Sequence, residues 1–166
     1  ASNTAVGRSA LQESTTASNN TAVGYQSLLA NTTGAQNTGI GMYALASNTT
    51  ATDNFAGGYN SLGANTTGTS NIGIGHRALQ AITTASNNTA LGSQAGYSRT
   101  GSGNTCIGQY SGRDGTTGTD NTLIGRNAGY HITSGSNNTI IGTYDGNSGG
   151  LDIRTASNNV VISDGD

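Results

Sequence analysis

Few side chains in this sequence could take part in chemistry. It contains two histidines, His76 and His131, one cysteine, Cys106, and no lysine. The histidines occupy different positions of a repeated pattern, and neither has a Glu or Cys at the spacing of a metal ligand, so we expect both at the surface. Cys106 stands where other repeats have small apolar residues, which indicates a packing role. The sequence therefore predicts no active site, no metal site and no cofactor, and we expect the protein not to be an enzyme.

Two kinds of short motif suggest ligand binding but have simpler explanations. The segments Gly39-Ile40-Gly41 and Gly73-Ile74-Gly75 begin like a dinucleotide fingerprint, yet neither opens a predicted helix and both belong to a repeat. The segments 145–147 (Asp-Gly-Asn) and 164–166 (Asp-Gly-Asp) could offer oxygen ligands to a cation. Neither completes a calcium loop, so we expect turns there.

The elements that must position these residues are copies of one short repeat. Its centre is Asn20-Thr21-Ala22-Val23-Gly24, and variants of it recur along the whole chain, mostly 17 residues apart. The copies begin at Asn3, Asn20, Asn37, Asn54, Asn71, Asn88, Asn104, Asn121, Asn138 and Asn159. Self-similarity at a short fixed period is typical of a solenoid, in which each repeat forms one coil.

The composition agrees with a repeat protein and excludes several classes of partner. Hydrophobic residues make up 32% of the chain, charged residues 8%, and 27 residues are Gly. A disordered chain would not keep one Asn and one Gly in register over ten repeats, so we expect an ordered fold. The net charge is −2 and the six Arg are scattered singly, which argues against a nucleic-acid partner. No segment is apolar enough to predict a membrane span.

The five positions from Asn to Gly predict one five-residue β-strand per repeat. The residue before the Gly is apolar in nine of ten repeats, as at Val23, Ile40, Ile74 and Ile124. We expect this column to form the core of the solenoid. The β-branched residue two positions earlier lies on the same face, because side chains alternate along a strand. The residue between them is small in the first repeats and larger in the last, and we expect this opposite face to be covered as well.

Two residues are almost invariant between repeats, and each has a structural explanation. The Gly predicts a positive φ or a contact too close for a Cβ. The Asn predicts a ladder of amides that hydrogen-bond between coils and cap the local turn. The predicted structural positions are Asn20, Asn37, Asn71 and Asn121, with Gly24, Gly41, Gly75 and Gly125.

The repeats change along the chain. Leu11, Leu28, Leu45, Leu62 and Leu79 give way to Gly96, Gly112, Gly129 and Gly146, which predicts a slimmer coil or a differently filled interior in the second half. One residue is deleted around Ser98-Arg99, and an insertion falls within 147–153, both in the Thr-rich return segment that precedes each Asn. We therefore divide the chain into tandem β-roll repeats over 1–146 and an insertion with a final partial repeat over 147–166, and we expect the repeats to continue in a longer chain.

Residues 20–28, Asn-Thr-Ala-Val-Gly-Tyr-Gln-Ser-Leu, and their counterparts resemble the head repeats of YadA-type trimeric autotransporter adhesins, and similar repeats occur in phage tail fibres. The resemblance covers essentially the whole chain. It implies a left-handed parallel β-roll, three chains around one axis, and an extracellular fibre that binds host surfaces. The repeat here is about three residues longer than the adhesin head repeat, and the extra length lies in the return segment.

The sequence thus predicts an all-β fold, a parallel β-solenoid (β-roll) of about ten 17-residue coils assembled as a homotrimeric fibre. We expect a structural or adhesive role in a phage tail fibre or a bacterial surface adhesin, with a host-surface glycan or protein receptor as candidate partner. An ice-binding solenoid is the alternative, since one strand position carries Thr4, Thr21, Thr38, Thr89, Thr105, Thr122 and Thr139. Phe55 and Ile72 interrupt that ladder, and a polysaccharide-degrading solenoid would need convergent carboxylates that the scattered acids do not supply.

The two positions after each Gly collect tyrosine and arginine, the residue types most used at protein interfaces. They include Tyr25, Tyr43, Tyr59, Tyr110 and Tyr144, with Arg8, Arg77 and Arg126. We expect much of this set to lose solvent access in a trimer, whereas return segments such as 66–68 stay outside.

Overall fold

The structure is a computed structural model that describes residues 2–164. This part of the chain contains ten short strands and no helix. The strands are β1 (Thr4–Val6), β2 (Thr21–Val23), β3 (Thr38–Ile40), β4 (Phe55–Gly57), β5 (Ile72–Ile74), β6 (Thr89–Leu91), β7 (Thr105–Ile107), β8 (Thr122–Ile124), β9 (Thr139–Gly142) and β10 (Val160–Ser163). Eight strands have three residues and the last two have four, so they are shorter than the predicted five.

All ten strands form one parallel sheet in chain order, β1 to β10. Equivalent residues of successive repeats are paired, as in Thr21 with Thr38 and Val23 with Ile40. Because each strand lies parallel to the next, the chain between them must complete a full turn, and the predicted β-solenoid is confirmed with about nine turns. Parallel strands are about 4.8 Å apart, so the described coils span about 43 Å.

The interior lies on the opposite side of the strands from the predicted one. The second residue of each strand from β2 to β9 points inward, and those at Ala22, Ala56, Ala90, Cys106, Leu123 and Ile140 are fully buried. Ile40 and Ile74, predicted as core, point outward and are 45% and 38% exposed, and Val23 and Ile124 on the same face are only partly buried. The prediction that this column forms the core is therefore wrong.

The reason for the reversal is the narrow interior of the coil. A Cβ added at Gly39, a middle residue, would lie 2.6 Å from the Ser27 hydroxyl and 3.4 Å from Leu28 Cγ. Ser27 and Leu28 come from the segment after the Gly and are themselves fully buried. Only a small strand residue fits beside them, so the bulky β-branched residues occupy the outer face.

The interior is filled differently in the two halves of the solenoid, as the Leu-to-Gly change predicted. In the first half, Leu28, Leu45, Leu62 and Leu79 fill it and the strand residue is Ala or Gly. In the second half the strand residue grows, and Gly replaces Leu. A Cβ at Gly129 would lie 2.7 Å from Leu123 Cδ2, so the larger strand residue takes the space of the missing leucine.

The predicted asparagine ladder is confirmed. Asn37 donates its backbone N–H to Asn20 Oδ1 at 2.8 Å and its side-chain amide to the Ala51 carbonyl at 2.8 Å. The same pattern recurs along the solenoid, and the repeat asparagines from Asn20 to Asn138 are buried. Asn37 thus links the start of its strand to the preceding coil through Asn20 and to the return segment that precedes Asn54 through Ala51.

Gly41 confirms the predicted glycine conformation, with φ of +130°. Gly24, Gly75 and Gly125 adopt the same region. The glycine column is therefore set by backbone conformation as well as by the close approach of the next coil.

Candidate interaction surfaces

The outward side chains of β1–β10 form one continuous surface, which we call the strand face. It has two columns of side chains. The first residue of each strand, most often Thr, forms the Thr column, and the third residue, such as Val23 or Ile40, forms the aliphatic column. In-register pairing stacks equivalent residues on successive strands. The centre is the most apolar part, because Phe55 and Ile72 replace Thr there. The exposed apolar residues of this face are Val6, Ile40, Phe55, Ile72, Ile74, Leu91, Ile141, Val160 and Ile162.

A second surface, the aromatic corner, is built from the positions after the Gly in successive coils. The rings of Tyr25 and Tyr43 are 5.5 Å apart, those of Tyr43 and Tyr59 are 6.1 Å apart, and His76 stacks on Tyr59 at 5.5 Å. The Arg77 guanidinium lies 5.9 Å from the Tyr59 ring, and Arg8 lies similarly over Tyr25. The structure therefore brings together five of the residues predicted for an interface, Arg8, Tyr25, Tyr43, Tyr59 and Arg77.

Tyr110 belongs to a different group, the Arg113 cluster. The Arg113 guanidinium lies 5.3–5.9 Å from the ring centres of Tyr97, Tyr110 and Tyr130. It also donates to Asp114 Oδ1 at 3.0 Å and to the Tyr130 hydroxyl. Such contacts order a partly buried cation against aromatic faces.

Sequence reasoning missed most of the Arg113 cluster. Tyr97, Arg113 and Tyr130 each stand five residues after the repeat Gly, in successive coils. Aligning the repeats at that position would have identified all three from the sequence. Arg126, which was predicted for the interface, is exposed and lies outside both ring groups.

Tyr144 is the one predicted interface residue that the structure places inside the chain. Its side chain is only 6% exposed, and its hydroxyl donates to the Leu151 carbonyl at 2.6 Å. The insertion that follows folds over this ring. The prediction of an interface role for Tyr144 is therefore wrong.

The reactive side chains are dispersed. His76 and His131 are both exposed, as predicted, and His131 Nδ1 lies 3.4 Å from Asp114 Oδ2. Cys106 is fully buried, and this burial raises the pKa of its thiol despite the nearby Arg99 cation. Within residues 2–164, no three His, Cys, Asp or Glu side chains meet in a metal-binding arrangement. The same residues include no helix that could cross a bilayer.

The insertion contains a Gly-x-Ser-x-Gly spacing, Gly146-Asn147-Ser148-Gly149-Gly150, that sequence reasoning missed. In serine hydrolases this spacing forms a turn between a strand and a helix. Here the Ser148 hydroxyl donates to Asp145 Oδ1 at 2.8 Å, and the Asn147 N–H donates to the same oxygen at 2.9 Å. The segment is the turn that the sequence predicted for 145–147, and Gly165 and Asp166 of the second Asp-Gly motif lie outside the described residues.

Arg99 is an unexpected occupant of the interior. It is fully buried, and its Nη1 lies 3.2 Å from Asn104 Oδ1. Its Nε and Nη2 have no hydrogen-bond partner within residues 2–164. A Cβ at Gly115 would lie 2.6 Å from Arg99 Cζ, so the glycine leaves the space that the guanidinium fills.

Comparisons with protein-family models, with curated proteins and with solved structures find no match to this chain.

Proposed function

We propose that this chain is a segment of an extracellular homotrimeric fibre with a structural and adhesive role, as the shaft or head of a phage tail fibre or of a bacterial surface adhesin. The observation that carries the proposal is the apolar strand face. Soluble monomers seldom expose a continuous apolar surface larger than a few hundred Å². A face that carries an aliphatic side chain at the same position in nine of ten strands, with Gly57 as the exception, suits burial against other chains.

Copies of the same chain are the partners that fit this face best. A second copy has the same axial repeat, so its aliphatic column can interdigitate with that of the first along the full length of the solenoid. The small net charge of −2 per chain opposes such association only weakly. The number three rests on the resemblance of the repeats to those of trimeric adhesins.

The adhesive part of the proposal rests on the aromatic corner and the Arg113 cluster. Both present tyrosine rings and arginine on the outside of the coils, where a host-surface glycan or protein receptor could contact them. The role is proposed to be non-enzymatic, and the placement of His76 and His131 in different repeats supports this. The arginines lie against tyrosine rings or singly, which supports the absence of a nucleic-acid partner.

The assembly can be tested by placing a charge on one face at a time. The double variant Ile40→Asp/Ile74→Asp adds two carboxylates to the strand face, and Thr67→Asp adds one to the return segment, where residue 67 is also exposed. In sedimentation velocity at micromolar concentration, the first variant should lose the trimer and the second should keep it, with circular dichroism as a check of folding. A trimer that survives both changes, or a parent chain that sediments as a monomer, would remove the basis of the proposal.

A further inference from the structure

The return segments form a third surface, which carries hydroxyl groups in two regular columns. The first column stands four residues before the repeat Asn, and the second column stands two residues before it. The first consists of Thr16, Thr33, Thr50, Thr67, Thr84, Thr117, Ser134 and Thr155. The coil before Asn104 is an interruption, because Thr100 takes the place of Thr83 there and its hydroxyl donates to the Thr116 carbonyl at 3.1 Å. The second consists of Ser18, Thr52, Thr69, Ser86, Ser102, Thr119, Ser136 and Ser157, with Ala35 as the exception. We call the surface formed by these two columns the return face.

The residue between the columns fixes the direction of both. Ala17 and Ala51 stand there and are 2% and 1% exposed, and Gly68 is buried at the same position. Because this residue points into the solenoid, its neighbours on either side point away from it. All eight members of the first column are exposed.

The first-column hydroxyls are free to bind solvent. Within residues 2–164, none of them has a hydrogen-bond partner in the chain. Some hydroxyls of the second column already form hydrogen bonds within the chain. The Ser86 hydroxyl accepts the Thr69 N–H at 2.9 Å, and the Ser136 hydroxyl accepts the Thr119 N–H at 3.0 Å. The return face therefore offers one row of unpaired hydroxyls beside one row that is held in place.

Backbone hydrogen bonds hold the return face at a fixed spacing. The N–H of Thr32 donates to the Thr49 carbonyl at 3.0 Å, and those of Thr49 and Thr66 donate to the next coil at 3.0 and 2.8 Å. The hydroxyl of Thr49 also donates to the Thr66 carbonyl at 3.1 Å. Hydroxyls in one column are thus about 4.8 Å apart along the axis.

These properties are complementary to a periodic, uncharged surface. The two columns carry no charged side chain. The axial spacing lies near a repeat distance between oxygen atoms in hexagonal ice. We propose that the return face binds ice. Ordering one water on a hydroxyl costs up to about 2 kcal/mol, and a lattice that already holds its waters in place avoids that cost at many hydroxyls at once.

The return face is a different surface from the strand-face Thr ladder that the sequence suggested for ice binding. Ice binding by the return face also does not depend on the trimer. The strand-face threonines have no second hydroxyl two residues on, and their neighbours are aliphatic, as in Thr38 and Ile40. The return face lies on another segment of the coil. It could therefore meet ice whether the chain is a monomer or a trimer.

The test is the thermal hysteresis and ice-crystal shape of the purified chain, with its mass measured in the same sample. The parent should shape ice crystals and depress their growth temperature. The triple variant Thr50→Tyr/Thr67→Tyr/Thr84→Tyr blocks the first column and should lose this activity, whereas Thr105→Tyr on the strand face should keep it. If the tyrosine variant does not fold, the valine series at the same three positions removes only the hydroxyls and should lower the hysteresis.

Two outcomes would overturn the inference. In the first, the folded parent produces no hysteresis and leaves ice crystals unshaped. In the second, the parent is active but the return-face variants keep its full activity, which would assign ice binding to another surface. If the parent shows thermal hysteresis but has the mass of a single chain, the result would count against the trimer and leave ice binding intact.

Discussion

Replacing Gly41 by alanine should destabilise the solenoid strongly, although it adds a single methyl group. Gly41 has φ of +130°, a region that side-chain-bearing residues rarely adopt. A Cβ there would lie 2.6 Å from the Gly58 carbonyl oxygen and 2.7 Å from its carbon. Both are backbone atoms of the next coil, and the Gly58 N–H donates to the Ile40 carbonyl at 2.7 Å, so the contact cannot be relieved without disturbing the ladder.

The magnitude follows from these two effects. A strained φ costs about 1–3 kcal/mol, and weakening one ladder hydrogen bond adds about 1 kcal/mol, so Gly41→Ala should lower the free energy of unfolding by about 2–4 kcal/mol. Gly41→Val should cost more, because a β-branched residue tolerates positive φ least. One coil would be weakened while its neighbours keep their own contacts.

Gly57 supplies a matched control in the next coil. Its φ is not positive, and a Cβ there would lie 3.5 Å from Phe55 Cε1, an ordinary contact. Gly57→Ala should therefore raise the free energy of unfolding by about 0.4–1 kcal/mol through the unfolded chain. Urea denaturation followed by circular dichroism, at one protein concentration, compares the three proteins. Equal midpoints for Gly41→Ala and the parent, or equal losses for both alanine variants, would refute the reasoning.

Three further changes test the interior. Arg99→Leu removes a buried cation with two unpaired nitrogens, so urea denaturation should show no loss of stability or a gain of about 1–4 kcal/mol, and a large loss would contradict this. Because burial raises the pKa of the Cys106 thiol, the contribution of this thiol to stability should be constant at lower pH and fall above about pH 8.5, where the unfolded thiol ionises. Cys106→Ala should remove that part of the pH dependence. If the variant and the parent have the same pH profile of stability, the thiol is not its source. Asn37→Ala leaves the Asn54 N–H without its acceptor and should cost about 1–3 kcal/mol for that orphaned group, so an unchanged melting temperature would contradict the ladder.

The repeat made much of the fold predictable from sequence. A column shared by ten coils has one local conformation, so the Asn ladder, the positive φ at Gly41 and the strand positions could each be inferred from residue type and spacing. The change from Leu to Gly also indicated that the interior differs between the two halves. These inferences needed only local geometry.

Which face of the strands points into the solenoid could not be predicted in the same way. Alternation defines two faces, and the face with Ile40 is the more apolar one, which normally marks the core. The decision depends on the width of the coil, because Ser27 and Leu28 from another segment already occupy the interior beside Gly39. Sequence pattern alone contains no measure of that width.

Irregular coils were the other source of error. The structure places the one-residue deletion after Thr100, because Thr100 still stands 17 residues after Thr83 and its hydroxyl donates to the Thr116 carbonyl as that of Thr66 donates to the Thr83 carbonyl. This alignment places Arg99 in the interior rather than on the return segment. The insertion similarly turns Tyr144 inward, where its hydroxyl finds the Leu151 carbonyl.

The most direct test of the proposed fibre is the mass of the purified parent chain by light scattering at micromolar concentration, with circular dichroism on the same sample. We expect a folded β-rich species of three times the 16.5 kDa chain mass, because the strand face is then buried between chains. A stable, folded species at the mass of one chain would contradict the account, since it would show that the exposed strand face needs no partner.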